Sequence, residues 1–273
     1  MNSALRKLRP AVVLLAAPLL FCADNGPKPT YEQIEQFLKT AKIVKIKELS
    51  VGVTNSRRAT LTDGTITHDA HVQSIDEFKA KFEGERGTEM NFRDTWKFNV
   101  AAYRLGQILG IADMIPPSIE RKVNGTSCAV TWWIDNTMME SERKKKSLES
   151  TDKDAWNREM YVVRVFDQLI YNTDRNLGNL LIDPDWHIWM IDHTRAFRLY
   201  TTLQDQKNLV LCDRNLLAKL RTLDAKMLIP LKPYIGDGEI KGLLGRRDKI
   251  VKFFDDQIAQ KGEAQILYDR PAR

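Results

Sequence analysis

Only three cysteines, Cys22, Cys128 and Cys212, stand among 273 residues. That scarcity excludes a disulfide framework and a cysteine-rich zinc site. If Cys22 is lost with a leader, the other two are far apart in sequence and leave room for one bridge at most. Histidine is nearly as rare. His68 and His71, and His187 and His193, fall at strand or turn positions without the partners of a zinc site. The chain also lacks an internal repeat, a helix with a basic stripe, and interleaved basic and aromatic residues. Its net charge of +6 therefore makes no case for nucleic acid. A mild basic excess suits polyphosphate ligands or acidic substrates, and Arg143-Lys144-Lys145-Lys146 reads as a solvated loop. Long apolar runs are missing too, except at 11–21. That run follows Arg6, Lys7 and Arg9 and gives way to Ala23-Asp24-Asn25-Gly26, the layout of a secretory leader too short for an ordinary membrane span. Residues 1–22 are thus expected to be a signal peptide. Export to a periplasm, a secretory lumen or the outside follows, with no transmembrane span in the mature chain. An uncleaved anchor is the alternative, because Phe21 is a poor neighbour for small-residue processing.

What is present is a globular composition, 43% hydrophobic and 29% charged, long enough for one large domain or two lobes with a shared cleft. Residues 31–41 read as a short helix capped by Thr30, within an N-terminal extension at 23–42. Strand-like segments follow at 43–53, 58–61 and 65–75, with Asp63-Gly64 as a hairpin signal. A polar stretch runs through Gly84 and Gly87. The period of Phe98, Ala101, Leu105 and Ile108 predicts a helix over 94–109 that Gly110 stops. Strands at 119–123 and 126–134 flank Asn124-Gly125. After a charged stretch at 141–154, residues 156–171 are apolar on nearly all sides and read as a buried helix. Leu180–Ile182 and 186–191 form a small hairpin, and helices are predicted at 214–223 and 247–260. Strands with one main helix, then mostly helices, make an α+β chain of two lobes, at 43–138 and 139–273.

The chemistry concentrates after the buried helix. Phosphoryl transfer needs a carboxylate aimed at the attacking hydroxyl and oxygen ligands that hold a metal on the phosphates. A kinase catalytic loop sets those two residues, Asp and Asn, five positions apart, and Asp174 and Asn179 have that spacing. A second carboxylate, Asp192, arrives on the far strand of a hairpin and folds back beside Asn179. Asn and Asp are hard oxygen donors suited to magnesium or manganese. Any one of these residues alone would read as a turn or a helix cap; the three together do not.

The run Val165-Phe166-Asp167-Gln168-Leu169-Ile170-Tyr171-Asn172-Thr173-Asp174-Arg175, with Ile191-Asp192-His193-Thr194-Arg195-Ala196-Phe197, resembles the secretory-pathway kinases of the Golgi casein kinase type. It is more distantly similar to phosphatidylinositol 3-/4-kinases and HipA-type kinases. Asn99-Val100-Ala101-Ala102-Tyr103-Arg104-Leu105 and Pro116-Pro117-Ser118-Ile119-Glu120-Arg121 carry the likeness into the first lobe. The resemblance implies a two-lobed protein-kinase-like fold, with a smaller β-rich first lobe and a mostly helical second lobe. It implies ATP or another nucleoside triphosphate with magnesium or manganese, and a protein or small-molecule hydroxyl as acceptor. Asp174 would be the catalytic base, Asn179 and Asp192 the metal ligands, and Asp167 with Arg175 the brace of the loop. A solvated helix position is the other reading of Asp167.

One part of the pattern is missing. A Lys on the third strand and a Glu on the next helix ordinarily hold the α and β phosphates. Those positions fall on Gln73 and Asn99, so both charges are absent together and the two amides are expected to face each other. Arg57 or Arg58, after a turn at Gly52, or else Lys79 or Lys81, would have to reach the phosphates instead. Gly52 alone lacks a full glycine-rich fingerprint. Two other readings stay open: a pseudokinase that binds nucleotide or a partner without turnover, and nucleotidyl transfer on the same scaffold.

Overall fold

The structure is a computed structural model that describes residues 29–49, 56–84 and 87–271; the expected leader, Cys22 and Gly52 lie outside them. Helix α1 (Tyr31–Thr40) opens on a capping box in which Thr30 and Gln33 satisfy each other's backbone N–H groups. Strands β1 (Lys42–Glu48), β2 (Arg57–Thr62) and β3 (Thr67–Gln73) follow. Next come a hairpin of β4 (Asp76–Gly84) and β5 (Gly87–Thr95), helix α2 (Lys97–Leu109), and strands β6 (Ser118–Val123) and β7 (Thr126–Trp132). Five of these strands make one antiparallel sheet in the order β1-β2-β3-β7-β6. Alternation along each strand sorts the two faces. Ala59, Leu61, Ala70, Val72 and Val130 pack under Phe37 and Leu38 of α1. The opposite face turns toward α2, where Ala129 meets Trp96 and Val100. The N-terminal helix thus packs against one face of the five-stranded sheet.

The hairpin corrects the reading of the segment through Gly84 and Gly87 as a polar stretch. Phe82 of β4 stacks on Phe92 of β5 with ring centroids 4.2 Å apart, a cross-strand pair of the kind that stabilises sheets. Charged residues between the aromatics hide this alternation. Helix α2 starts at Lys97 rather than Asp94, because Asp94 belongs to β5 and is buried in an ion pair with Arg195.

Beyond β8 (Met138–Met139), the short helix α3 (Glu140–Lys145) occupies part of the charged 141–154 stretch, and Arg143 there binds Glu140. Helix α4 (Lys153–Ile170) buries Val162, Val163, Phe166, Leu169 and Ile170 in a core it shares with Phe98, Ala101 and Leu105 of α2. Strands β9 (Leu180–Ile182) and β10 (Ile188–Met190) pair as expected. The rest is β11 (Cys212–Asp213), α5 (Arg214–Thr222), α6 (Asp237–Lys261), α7 (Glu263–Ile266) and β12 (Leu267–Tyr268). A β-sheet region is therefore followed by a helical region, the α+β arrangement expected. Cys128 and Cys212 are both buried and free. Among the described residues no helix is long and apolar enough to cross a membrane.

Helix α6 begins at Asp237, well ahead of the 247 expected. Its first turns contain Gly238, Gly242 and Gly245, which weaken the periodic signal. Gly242 has a packing reason: a Cβ there would lie 2.8 Å from the Arg198 carbonyl oxygen and 3.0 Å from that of Leu199. One turn on, the fully buried Arg246 donates to the carbonyls of Leu169 at 2.7 Å, of Arg198 at 2.8 Å, and of Tyr200. Burial pulls its pKa down to about 10, leaving it charged at neutral pH. Arg246 thereby ties α6 to the end of α4 and to the segment after Phe197. Arg246→Met strands those carbonyls without a donor and is expected to cost about 3 kcal/mol in urea unfolding. A loss below about 1 kcal/mol would mean that water replaces the guanidinium there.

Candidate functional site

Helix α4 ends with Tyr171 in the left-handed conformation, φ 50°, which turns the chain into the 172–179 loop. Asn172 anchors that turn. Its Nδ2 donates to Asp167 Oδ1 at 3.0 Å, and its Oδ1 accepts from the Asp174 backbone N–H at 3.0 Å. Arg175 is the centre of the loop. Its guanidinium meets both oxygens of Asp167, at 2.9 and 3.0 Å, the bidentate geometry Arg favours. The same group donates to the carbonyls of Asn179 at 2.5 Å and Ile191 at 2.9 Å. Its remaining contact is Nε2 of His193, at 3.1 Å. Burial first, and the Arg175 charge second, push the His193 imidazole well below its ordinary pKa. It stays neutral, so its Nε2 can accept. Asp167 and Arg175 therefore join the end of α4, the loop and the segment after β10.

Around that joint the three expected residues come together. Asn179 accepts the Ile191 N–H at its backbone oxygen, 3.2 Å, which sets Asp192 beside it. Asn179 Nδ2 donates to the Asp174 backbone oxygen at 2.9 Å. With the nitrogen so committed, Asn179 Oδ1 accepts from no described residue. Asp192 sits at φ 51°, a left-handed conformation uncommon for a side chain other than Asn, Asp or Gly. Thr194 Oγ1 donates to its Oδ1 at 3.0 Å, and Oδ2 has no donor among the described residues. Backbone held in a rare conformation by surrounding bonds clusters at functional sites. The donor set is two hard oxygens on neighbouring segments, which fits magnesium or manganese completed by water and phosphate. Among the described residues no group of three or more His, Cys, Asp or Glu side chains forms a metal cage.

On the first-lobe side, Gln73 and Asn99 meet as the sequence register implies: Asn99 Nδ2 donates to Gln73 Oε1 at 2.6 Å, fully buried. Asn99 has a second bond that sequence reading does not supply. Its Oδ1 accepts the His193 N–H at 2.7 Å, so α2 is tied to the residue after Asp192. The basic candidates separate. Arg57 pairs across with Val72 and so lies on the α1 face of the sheet, away from the cleft. Arg58 lies on the cleft face, but its Nε holds Asp69 at 2.6 Å and its guanidinium covers Trp133 at 4.1 Å. Lys79 and Lys81 pair with Glu77 and Glu83 on the exposed β4–β5 hairpin. Trp132 packs edge-on against Phe37 in the core.

Sequence reading misses the fastening of the segment after Asp192. Thr194 O accepts from Thr95 N at 3.0 Å, Arg195 pairs with Asp94 at 2.7 Å, and Arg198 pairs with Glu89. The β4–β5 hairpin therefore runs along this segment. Between them lies a cavity of about 460 Å³, lined by Phe78, Met90, Arg93, Phe197, Leu199 and Tyr200 among others. Its walls include none of Asp174, Asn179 and Asp192.

No protein-family model matches the chain, and no curated protein matches it. The resemblance to the Golgi casein kinase type thus rests on the motifs alone. Among solved structures, the crystal structure of the Helicobacter pylori proinflammatory kinase CtkA is similar at 12% identity, over 84% of this chain and 96% of that one, with a TM-score of 0.45.

Proposed function

We propose that the chain is a metal-dependent, kinase-like phosphotransferase that moves the terminal phosphate of a nucleoside triphosphate to a hydroxyl of a protein or small molecule. The observation that supports this reading is the Arg175 joint, which ties the carbonyls of Asn179 and Ile191, on the segments that carry Asp174 and Asp192, to one guanidinium. In this reading the acceptor oxygen bonds to the terminal phosphorus as the bridging P–O bond breaks, and that electron pair leaves with the nucleoside diphosphate. Asp174 takes the acceptor's proton and returns it to solvent. A divalent cation held by Asn179 and Asp192 would neutralise charge on the phosphates.

The buried Gln73–Asn99 bond favours a second reading, a pseudokinase, because it puts a neutral pair where a charged clamp ordinarily sits. Calorimetric titration separates the two: binding of no nucleotide, with magnesium or manganese, leaves the pseudokinase that holds a partner. The same titration tests the register. Gln73→Lys alone buries a charge beside an amide, and Asn99→Glu alone buries an unpaired carboxylate. The double variant restores the clamp, and the introduced carboxylate still offers the His193 N–H an acceptor. ATP–magnesium should bind the double variant more tightly than the two singles sum to, with a coupling of about 0.5–3 kcal/mol. Additive singles would rule this pairing out as a phosphate clamp.

A further inference from the structure

A phosphotransferase without the strand lysine needs another cation at the phosphates, and the cations around the cleft are mostly committed. Arg175 spends its donors on Asp167, two carbonyls and His193. Arg198 is bound to Glu89, the Arg93 carbonyl and Thr173. Arg58 stands on β2, with its Nε on Asp69 and its guanidinium over Trp133.

Arg195 differs in its place, on the segment that carries Asp192 and against the residue before Asp174. Its backbone oxygen accepts both the N–H of Thr173, at 3.1 Å, and the Thr173 hydroxyl, at 2.9 Å, which fixes it beside Asp174. It follows Asp192 by three positions, and although burial opposes its charge, Asp94 first and then Asp174 and Asp192 hold that charge and raise its pKa. Its Nε donates to Asp94 Oδ2 at 2.7 Å, and its guanidinium carbon lies 5.5 Å from the centre of the Phe92 ring. Neither of its terminal Nη groups donates to a described residue. Its side chain is 30% exposed while Asp94 is 2% exposed. Asp94 Oδ1 is buried with no hydrogen-bond partner among the described residues. The arrangement is a buried carboxylate holding a guanidinium with its outer fork open, on a residue whose backbone is fixed next to the candidate base and three positions after the candidate metal ligand.

On the phosphotransferase reading, we infer that Arg195 is a catalytic residue that grips the terminal phosphate during transfer, with Asp94 as its positioning residue. An Arg supplied by the chain itself stabilises charge on the phosphoryl oxygens as the bridging bond breaks. Its planar fork matches phosphate in a way a Lys does not. The β4–β5 hairpin then has a task, since its last residues hold that side chain in place.

The test uses the full chain, with ATP–magnesium and ADP–magnesium as calorimetric probes and release of inorganic phosphate from ATP as the rate. Arg195→Met should slow release by about a hundredfold, as losing one preorganised donor does. It should weaken ATP while leaving ADP within about twofold of wild type, because only ATP has the phosphate gripped. Arg195→Lys keeps the charge without the fork and should retain the ATP preference with a rate about tenfold down. It also decides the matter if the Met variant fails to fold. Equal weakening of ATP and ADP, or an unchanged rate in either variant, overturns the role of Arg195 and leaves the phosphotransferase reading standing. A wild-type chain that binds neither nucleotide overturns both.

Discussion

Asp174→Asn should lower turnover by at least about a hundredfold, the usual loss for a positioned proton acceptor, while Asp192→Asn abolishes magnesium-dependent ATP binding. Neither change touches a packed core. Asp174 and Asp192 are only half-buried, and the loop bonds of Asp174 run through its backbone N–H and carbonyl, which Asn keeps. At Asp192 the choice of Asn matters, because the residue sits at φ 51°, and Asn tolerates that region far better than Ala does. Asn can also still accept from Thr194 Oγ1. What it cannot supply is the negative charge that binds a divalent cation. Circular dichroism should show wild-type folding in both variants. Phosphate release from ATP–magnesium gives the rate, and calorimetry gives the metal dependence. An Asp174→Asn enzyme as fast as wild type would remove Asp174 as the base. Magnesium-dependent binding that survives in Asp192→Asn would move the metal elsewhere.

Arg175→Met is expected to be the most destabilising change in the loop. Asp167 is 8% exposed, and after the substitution its carboxylate retains only the Asn172 amide among the side chains that now hold it. Removing one partner of a buried ion pair commonly costs about 3–5 kcal/mol, much of it the charge left behind. For a chain of this size that lowers the melting temperature by roughly 10 °C. Replacing both charges should recover much of the loss, because apolar pairs of similar volume often serve as well in the fold. The double variant Asp167→Leu, Arg175→Met should therefore melt above Arg175→Met, though below wild type because the Asn179 and Ile191 carbonyls still lose their donor. It should still fail to bind ATP–magnesium, because nothing then ties the carbonyls of Asn179 and Ile191 together. Stability and binding that recover together would show that the joint serves the fold alone.

Much of the candidate site is legible in the sequence because its signals are local. The five-residue step from Asp174 to Asn179 and the hairpin that returns Asp192 lie within short windows of chain. So do the apolar periods of α2 and α4, and Asn124-Gly125 between β6 and β7. Gln73 and Asn99 are also readable by register, and the two amides meet. Reading fails where the local signal is diluted. Lys79 and Lys81 between aromatics make β4 look like loop, and glycines blur the start of α6. One of them, Gly242, is there because the backbone of residues 198 and 199 approaches too closely for a side chain.

The sequence by itself determined the α+β order of elements, the strand and helix identities with strong periods, and the three residues at the centre of the candidate site. Tertiary structure alone decided which charges lie beside that candidate site. Strand register puts Arg58 on the cleft face and Arg57 on the α1 face, although the two are neighbours in the chain. Asp94 and Arg195 stand 101 positions apart, and each looks like an ordinary surface charge until the hairpin and the segment after Asp192 are laid side by side. The physical reason is one of range. Periodicity and turn chemistry act over a few residues, whereas a buried ion pair is set by the packing of elements far apart in the chain.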